Sequence, residues 1–268
     1  MMRIIPLDYG AAELVILLGL GEQIVGAPLE APPQLSELPK ATNLEALSPT
    51  HVVGFFPSEE PESLNLHESI KVVTASSLSI SKILEAYEEM GRALKVPAKG
   101  KELAQKIKSQ ILHWGDSFYD RFRAKKVVVI SSVEPLRLYG GWISELYRMI
   151  STDPQAIMLE KEYSYEDLVA INPHVIVVAP TDYNLEQSKR TFLYLEKKPG
   201  WEKMWATKRG EVYFTSGGPE FYSASPNTIL NASSILISAV SGLESGYISP
   251  KDSYIKARYL ELFRHTLK

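Results

Sequence analysis

The sequence contains no cysteine, and this absence excludes several kinds of chemistry. Disulfide bonds, thiolate-ligated zinc, iron–sulfur clusters and cysteine nucleophiles all require the thiol. Long hydrophobic runs are also missing, since the longest, Val15–Gly21, is far shorter than the roughly 20 residues of a membrane helix. An excess of positive charge is absent too, because 29 Lys and Arg face 32 Asp and Glu. The net charge of −3 argues against a nucleic-acid binder that neutralises phosphates.

What is present is the composition of an ordinary folded protein. The 268 residues are 45% hydrophobic and 10% aromatic, enough for one large domain or two small ones. At the amino terminus, Arg3–Leu7 predicts a strand, and Asp8 predicts the cap of a helix over Ala11–Leu18. A signal peptide is the alternative for this segment, but Asp8 and Glu13 interrupt its apolar core. We therefore expect the segment to be part of the fold.

A weak internal repeat predicts two similar lobes. Residues 44–56 align without gaps on residues 168–180, at an offset of 124, with four identical positions. Both segments predict the end of a helix, a turn with proline and then an apolar strand. The same offset places Arg3–Leu7 on Val127–Ser131. Repetition of two strand–helix units at one offset indicates duplicated architecture.

One long amphipathic helix is predicted between the lobes. From Lys99 to Arg123 the apolar residues recur every three or four positions, as Leu103, Ile107, Ile111, Trp114, Phe118 and Phe122. Such a helix would extend about 37 Å and would resist hinge bending. The predicted domain boundaries follow from it: an N-terminal lobe over 1–95, the connecting helix over 96–123, a C-terminal lobe over 124–246 and a C-terminal helix over 247–268.

The alternation of strands and helices predicts an α/β fold with two Rossmann-like lobes whose sheets are parallel. In the second lobe the predicted strands cover 126–130, 175–179 and 211–215. Ligands of such sheets bind at the carboxyl ends of the strands. The loops predicted at those ends are rich in aromatic residues, and we take as ligand-binding candidates Tyr9, Phe55, Phe56, Arg137, Tyr139, Trp142, Tyr183 and Tyr222.

Motifs of known enzymes are weak or absent. Ser79 and Lys82 have the Ser-x-x-Lys spacing of a serine nucleophile with a lysine base, but Ser79 is also placed to cap the following helix. The five histidines share no metal-ligand spacing, and we expect His51 and His174 to be packing residues. The sequence therefore predicts no catalytic residue, no metal site and no resident cofactor.

The ordered segments resemble the type III periplasmic binding proteins, which serve ABC importers of cobalamin, ferric siderophores and haem. The resemblance rests on residues 3–26, on Leu44–Pro49 before a strand, on Pro199–Trp201 followed by Lys208–Tyr213, and on Ala224–Pro226. It covers essentially the whole chain. It implies two α/β lobes joined by one rigid helix, a ligand cleft between them, slight closure on binding, and a permease with its ATPase as partners of a monomer.

Because Phe55, Tyr139, Trp142 and Tyr222 all fall in loops predicted at strand ends, we expect them to line one ligand pocket between the lobes. In the family, an exposed glutamate on each lobe pairs with arginines of the permease, and the offset of 124 pairs Glu62 with Glu186 as the candidates here.

The identity of the ligand stays open at this level. Cobalamin suits the aromatic walls, haem would take Tyr9, Tyr139 or Tyr222 as an axial ligand, and an anionic siderophore would find only Arg137 in these loops. Two alternative functions also remain: a cytoplasmic corrinoid or metal-chelate carrier without a permease, and a hydrolase that uses Ser79 and Lys82. The resemblance implies an extracytoplasmic location, although the chain begins at its first strand without a signal peptide, which leaves a cytoplasmic one as the alternative.

Overall fold

The structure, a computed structural model, describes residues 1–56, 66–122, 125–150 and 162–262. The chain divides into two units. Unit 1 comprises Met1–Gln110 and Ser223–Leu230, and unit 2 comprises Ile111–Tyr222 and Asn231–Lys268. The described part contains no helix that is both long enough and apolar enough to cross a membrane.

Unit 1 is built on three parallel strands in the order β1-β2-β3, covered by helices. The strands are β1 (Ile4–Pro6), β2 (His51–Phe56) and β3 (Lys71–Ser76), and the first helices are α1 (Tyr9–Leu17) and α2 (Ile80–Ala93). Ile4 lies opposite His51, and His51 lies opposite Lys71. The predicted helix caps are confirmed, because the Asp8 side chain accepts the Ala11 N–H and the Ser79 side chain accepts the Lys82 N–H.

The long helix predicted from the apolar stripe is continuous as α3 (Pro97–Phe122). Its last predicted residue, Arg123, lies outside the described residues. The boundary between the two units falls inside this helix, after Gln110. The chain therefore passes from the first unit to the second as uninterrupted helical backbone.

Unit 2 contains a five-stranded sheet in the order β5-β4-β6-β7-β8. Its strands are β4 (Val127–Val133), β5 (Leu136–Leu138), β6 (Val175–Val178), β7 (Val212–Thr215) and β8 (Tyr254–Lys256). The central strands β4, β6 and β7 are parallel, whereas β5 and β8 pair antiparallel at the two edges. The sheet is therefore parallel-rich rather than purely parallel.

Eight helices follow α3 in the described part of the chain. They are α4 (Gly141–Ile150), α5 (Tyr165–Ile171), α6 (Leu185–Arg190), α7 (Phe192–Leu195), α8 (Trp205–Arg209), α9 (Pro219–Tyr222), α10 (Pro226–Ser241) and α11 (Ala257–Leu262). A buried cluster joins Ile130, Val178 and Phe214 of the sheet to Leu168 and Trp201. This burial of apolar side chains is the main stabilising contribution to unit 2.

The sequence repeat corresponds to a repeated backbone conformation. Ser48 and Asn172, which are equivalent at the offset of 124, both adopt left-handed conformations, with φ of 45° and 47°. Each directly precedes the proline of its turn, and the chain then enters β2 or β6. Each of these strands pairs in parallel with the first strand of its unit, β1 or β4. The repeat therefore marks the same structural element in both units.

Two parts of unit 2 differ from the sequence-based expectations. For Lys189–Glu196 the alternation of strands and helices predicts one helix, but the segment is divided between α6 and α7 at Thr191, whose hydroxyl donates to the carbonyl of Ser188. The predicted C-terminal helix over 247–268 contains the strand β8, and α11 follows it. The reason is that β7 would otherwise leave an open edge, which Tyr254–Lys256 covers by antiparallel pairing.

The compact units also divide the chain differently from the predicted domain ranges. Residues 96–110 belong to unit 1, as do residues 223–230, which the sequence places within the C-terminal lobe. The assignment of residues 223–230 to unit 1 agrees with a contact in that unit, since the Tyr87 hydroxyl donates to the carbonyl of Ala224 at 2.7 Å. The boundary falls again inside a helix, in α10 after Leu230.

Candidate ligand-binding loops

In unit 1, Asp8 joins the carboxyl ends of β1 and β2. One oxygen, Oδ1, accepts the Ala11 N–H at 3.0 Å as the cap of α1, and the other, Oδ2, accepts the Phe55 N–H at 2.7 Å. Burial raises the pKa of Asp8 to about 6. The backbone hydrogen bonds from Phe55, Ala11 and Gly10 lower this pKa, but their effect is smaller than that of burial. This carboxyl group therefore fixes the geometry of two candidate loops.

The aromatic candidates of unit 1 are placed unequally with respect to solvent. Phe55 is buried and meets the ring of Tyr87 edge to face, with 6.0 Å between ring centroids. Phe56, at the end of β2, and Tyr9, at the start of α1, are only partly buried. Within this unit, Tyr9 and Phe56 are accordingly the candidates with exposed ring surface.

A set of residues that the sequence analysis did not single out fixes the first turn of α10 in unit 1. The Glu13 carboxylate accepts hydrogen bonds from the Ser225 hydroxyl and from the Asn227 amide, the latter at 3.1 Å. Gly10 lies so close to this segment that an added Cβ would be 3.0 Å from the Ala224 nitrogen. Since these partners are more than 200 residues apart in sequence, no local pattern could have indicated the contact.

In unit 2, the carboxyl ends of β4 and β6 meet at Thr181. Its backbone N–H donates to the carbonyl of Ser131 at 2.9 Å, and its hydroxyl lies 3.3 Å from the hydroxyl of Tyr139. Tyr139 also packs against Phe221, with 5.8 Å between ring centroids. Tyr139 is thereby held by hydrogen bonding and by ring packing within its own unit.

The loop after β7 is attached at the same carboxyl-terminal end of the sheet. Gly217 donates its N–H to the Tyr183 carbonyl at 2.8 Å and accepts the Asp182 N–H at 3.1 Å. A Cβ at Gly217 would overlap the carbonyl oxygen of Pro180, so this close approach requires glycine. The loops that follow β6 and β7 are thus bonded to each other, and the loop after β6 is also bonded to β4 at Ser131.

Two further candidates are joined through α9. The Trp142 indole Nε1–H donates to the backbone carbonyl of Tyr222 at 3.0 Å, while Trp142 itself is buried. Tyr222 is only partly buried, and its hydroxyl lies 3.5 Å from Asp182 Oδ1. Tyr183 is the most open of these aromatic residues, with 39% of its surface exposed.

Two of the three comparisons with known proteins find nothing: no model of a protein family matches the sequence, and no curated protein matches it. Solved structures match over most of the chain. The periplasmic haem-binding protein RhuT of Roseiflexus sp. RS-1 has a TM-score of 0.70 at 19% identity, covering 90% of this chain and 98% of its own. The chain has the fold of the type III periplasmic binding proteins.

Two further solved structures with this fold show the same breadth of similarity. The vitamin B12-binding protein BtuF of Vibrio cholerae has a TM-score of 0.65 at 16% identity and covers 89% of this chain and 96% of its own. An ABC transporter substrate-binding protein from Listeria monocytogenes EGD-e has a TM-score of 0.71 at 15% identity, covering 89% and 98%. At these identities the similarity establishes the fold, so the α/β fold inferred from the sequence is confirmed.

Within this periplasmic binding fold, three of the predicted pocket residues are buried in their own units. Phe55, Tyr139 and Trp142 are 4% to 9% exposed, and each contacts a neighbour within its own unit, namely Tyr87, Phe221 and Tyr222 respectively. Their contact with a ligand stays a prediction. Tyr222, the fourth residue of that predicted pocket, keeps part of its ring accessible.

Arg137 lies on the edge strand β5 and already holds a carboxylate. Its guanidinium is 2.6 Å from Glu162 Oε1, and both side chains are about half exposed. Leu136 and Leu138, on either side of it, are buried in the core of unit 2. Arg137 therefore faces away from that core and is paired within the protein.

The residues of the enzyme alternative have structural roles. The Ser79 hydroxyl accepts the backbone N–H of Lys82 at 3.2 Å as the cap of α2, and it lies 3.1 Å from the Ser81 hydroxyl. No group of three or more His, Asp or Glu in the described ranges is arranged to hold a metal ion. His51, expected to be a packing residue, is partly buried beside Thr50, with 2.9 Å between its Nδ1 and the hydroxyl.

Of the two glutamates predicted to contact a permease, one can be described. Glu186 lies in the first turn of α6, where its side chain is 72% exposed and forms an ion pair with Lys189 at 2.5 Å. Glu62 lies outside the described residues. The pairing of these two positions stays a prediction.

Proposed function

We propose that this protein is the substrate-binding component of an ABC importer and that it binds a bulky metal chelate of the haem, corrinoid or ferric siderophore class without chemical turnover. The single observation that carries the proposal is the similarity of fold over 90% of this chain and 98% of the haem-binding protein RhuT. The similar protein BtuF, which binds vitamin B12, supports the same class of ligand.

The ligand contacts are assigned to the carboxyl-end loops of the sheets. The aromatic rings with accessible surface are Tyr9, Phe56, Tyr183 and Tyr222. Flat apolar ring faces suit a planar macrocycle such as a haem or a corrinoid. Of the three classes, a haem or a corrinoid is favoured over an anionic siderophore, because the guanidinium of Arg137 is already paired with Glu162.

Titration with visible absorption tests this proposal. Haemin, cyanocobalamin and ferrichrome are added separately to the purified protein, and saturable 1:1 binding is expected for one class, with the chelate recovered unchanged. Tyr222→Ala should weaken that binding about tenfold, since an aromatic anchor contributes about 1–3 kcal/mol. Tyr247→Ala removes a ring that is 70% exposed outside these loops and serves as the matched control. Failure of all three probes to bind would overturn the proposal.

The importer context adds a permease and its ATPase as partners and an extracytoplasmic location. The similarity to an ABC transporter substrate-binding protein supports this part of the proposal. We assign Glu186, which is exposed, and its equivalent at the offset of 124, Glu62, to contact with the permease. Exposed acids direct association with basic partners at little cost to stability. The variant Glu62→Ala, Glu186→Ala should keep its melting temperature and chelate affinity while uptake through the cognate permease falls. Unchanged uptake would show the assignment to be wrong.

A further inference from the structure

A second surface of unit 2 lies at the amino-terminal ends of the parallel strands, opposite to the candidate ligand loops. Lys126 directly precedes β4 and His174 directly precedes β6, so both mark the amino ends of parallel strands. Thr181 follows the carboxyl end of β6 and Tyr222 lies beyond that of β7, while Tyr139 reaches Thr181 through its hydroxyl. A partner bound at the amino-terminal ends of these strands would therefore leave the ligand loops of this unit uncovered.

An exposed tryptophan is held by several contacts at this amino-terminal end of the sheet. Trp205 begins α8, its backbone N–H donates to Asn172 Oδ1 at 2.8 Å, and 44% of its surface remains exposed. The guanidinium of Arg209 stacks on its ring at 4.6 Å from the centroid. The ring of His174 meets it edge to face at 5.8 Å, and His174 Nδ1 accepts the Lys126 N–H at 2.9 Å. We name Lys126, Asn172, His174, Trp205 and Arg209 the Trp205 patch.

The charge of the Trp205 patch is positive. Lys126 and Arg209 belong to it, and Lys208 is exposed in the last turn of α8 beside Arg209. No carboxylate of the described residues forms an ion pair with any of these three cations. The exposed Glu202 is the acidic residue nearest to Trp205 in sequence. Glu211, which follows α8, is engaged by Lys256 and by the Tyr213 hydroxyl.

We propose that the Trp205 patch binds an acidic segment of a partner protein, with a carboxylate on Arg209 and an apolar side chain on the exposed part of Trp205. Tryptophan and arginine dominate the binding energy of many protein interfaces, and a cationic patch accelerates association with an acidic partner. The planar guanidinium over the ring offers paired N–H groups that suit the two oxygens of a carboxylate.

Two other anionic partners fit this surface less well. The helix α8 has five residues, too few for an amphipathic helix that lies in a membrane surface. The chain as a whole carries a net charge of −3, which opposes the broad attraction to a phosphate backbone or an anionic bilayer. A short acidic protein segment can contact the local cations without meeting the rest of the negative surface.

The probe for this proposal is fluorescein-labelled octaglutamate, with octaserine carrying the same label as the neutral control. Fluorescence anisotropy should show binding of octaglutamate only, and the affinity should fall as salt is raised above about 0.15 M. Arg209→Glu should lower the affinity about tenfold or more, and Trp205→Ala about fivefold, whereas Trp205→Phe should retain most of it. The melting temperatures of these surface variants should stay near that of the wild type.

Lys251→Glu is the matched control, because it makes the same change of charge at an exposed position of unit 2, beside Ser216 and Glu220 at the opposite end of the parallel strands. It should leave octaglutamate binding within about twofold of the wild type, since its charge lies outside the Trp205 patch. Equal losses in Arg209→Glu and Lys251→Glu would show that the interaction depends only on net charge and would overturn the proposal, as would absence of binding by the wild type. Binding to phosphatidylserine vesicles but not to octaglutamate, lost in Trp205→Ala, would replace the protein partner by a membrane. None of these results depends on the chelate titration.

Discussion

The carboxylate of Asp8 accepts the backbone N–H of Phe55 at 2.7 Å, and this one bond ties the end of β1 to the end of β2. The same side chain caps α1 through the Ala11 N–H. A single residue therefore fixes two loops of unit 1 that carry ligand-binding candidates. Because burial raises the pKa of this carboxyl group to about 6, the stability of unit 1 also depends on pH.

The first prediction concerns the pH dependence of stability at Asp8. Its folded pKa of about 6 lies above the ordinary value of 3.8, so the ionised form is disfavoured in the folded state. The stabilising contribution is fully present below pH 3.8 and is lost as the pH rises through 6. Relative to Asp8→Asn, the wild type should gain on the order of 2 kcal/mol in unfolding free energy between pH 7 and pH 4.

Urea unfolding of both proteins across that pH range measures this difference. Asp116→Asn removes an exposed carboxylate from α3 and should show no comparable trend. In addition, the carboxyl carbon of Asp8 should titrate in NMR spectra near pH 6. A midpoint near 4 would contradict the prediction.

The second prediction concerns the hydroxyl of Tyr87. It is fully buried and donates to the Ala224 carbonyl at 2.7 Å, and burial raises its pKa, so the donor proton is retained. Tyr87→Phe leaves that carbonyl without this donor and should cost about 1–3 kcal/mol of unfolding free energy. Tyr247→Phe removes the same atom from an exposed ring and should change stability by less than about 0.5 kcal/mol.

The third prediction concerns Gly100 in α3, where helix propensity and packing oppose each other. A Cβ at this position would overlap the Tyr87 carbonyl oxygen and would lie 3.1 Å from the Gly91 Cα of α2. Gly100→Ala should therefore lower stability by about 1–3 kcal/mol, although alanine favours helices by about 1 kcal/mol. Ser109→Ala, at an exposed position of the same helix, should be neutral or slightly stabilising. A more stable Gly100→Ala protein would show that α2 and α3 are less closely packed.

The fourth prediction concerns Trp142. Its indole N–H donates to the backbone carbonyl of Tyr222 at 3.0 Å and so holds α9 in place. Trp142→Phe should lose about 1–3 kcal/mol in urea unfolding, because it removes both this donor and part of a buried ring. Tyr222→Ala keeps the carbonyl and should be less costly, since that ring is only partly buried. Equal stability of Trp142→Phe and the wild type would contradict the role assigned to the hydrogen bond.

Several local features could be predicted because they depend on residues close together in sequence. The caps at Asp8 and Ser79 follow from a polar residue before an apolar helical pattern. The long helix α3 follows from one continuous apolar stripe. The offset between residues 44–56 and 168–180 predicted the two similar turns, in which Ser48 and Asn172 share a left-handed conformation. The resemblance of the ordered segments to type III periplasmic binding proteins predicted the fold.

Other features were decided only by tertiary structure, because they depend on what packs against each residue. Position in a strand-end loop could not show that Phe55, Tyr139 and Trp142 would be buried by neighbours while Tyr9, Phe56 and Tyr222 would stay partly open. The strand β8 exists because the edge of β7 is available for pairing. The bonds from Ser225 and Asn227 to Glu13 bring together residues from distant parts of the chain. The sequence by itself determined most of the local elements and their order, and packing determined the edge strand β8 and which side chains remained accessible to a ligand or a partner.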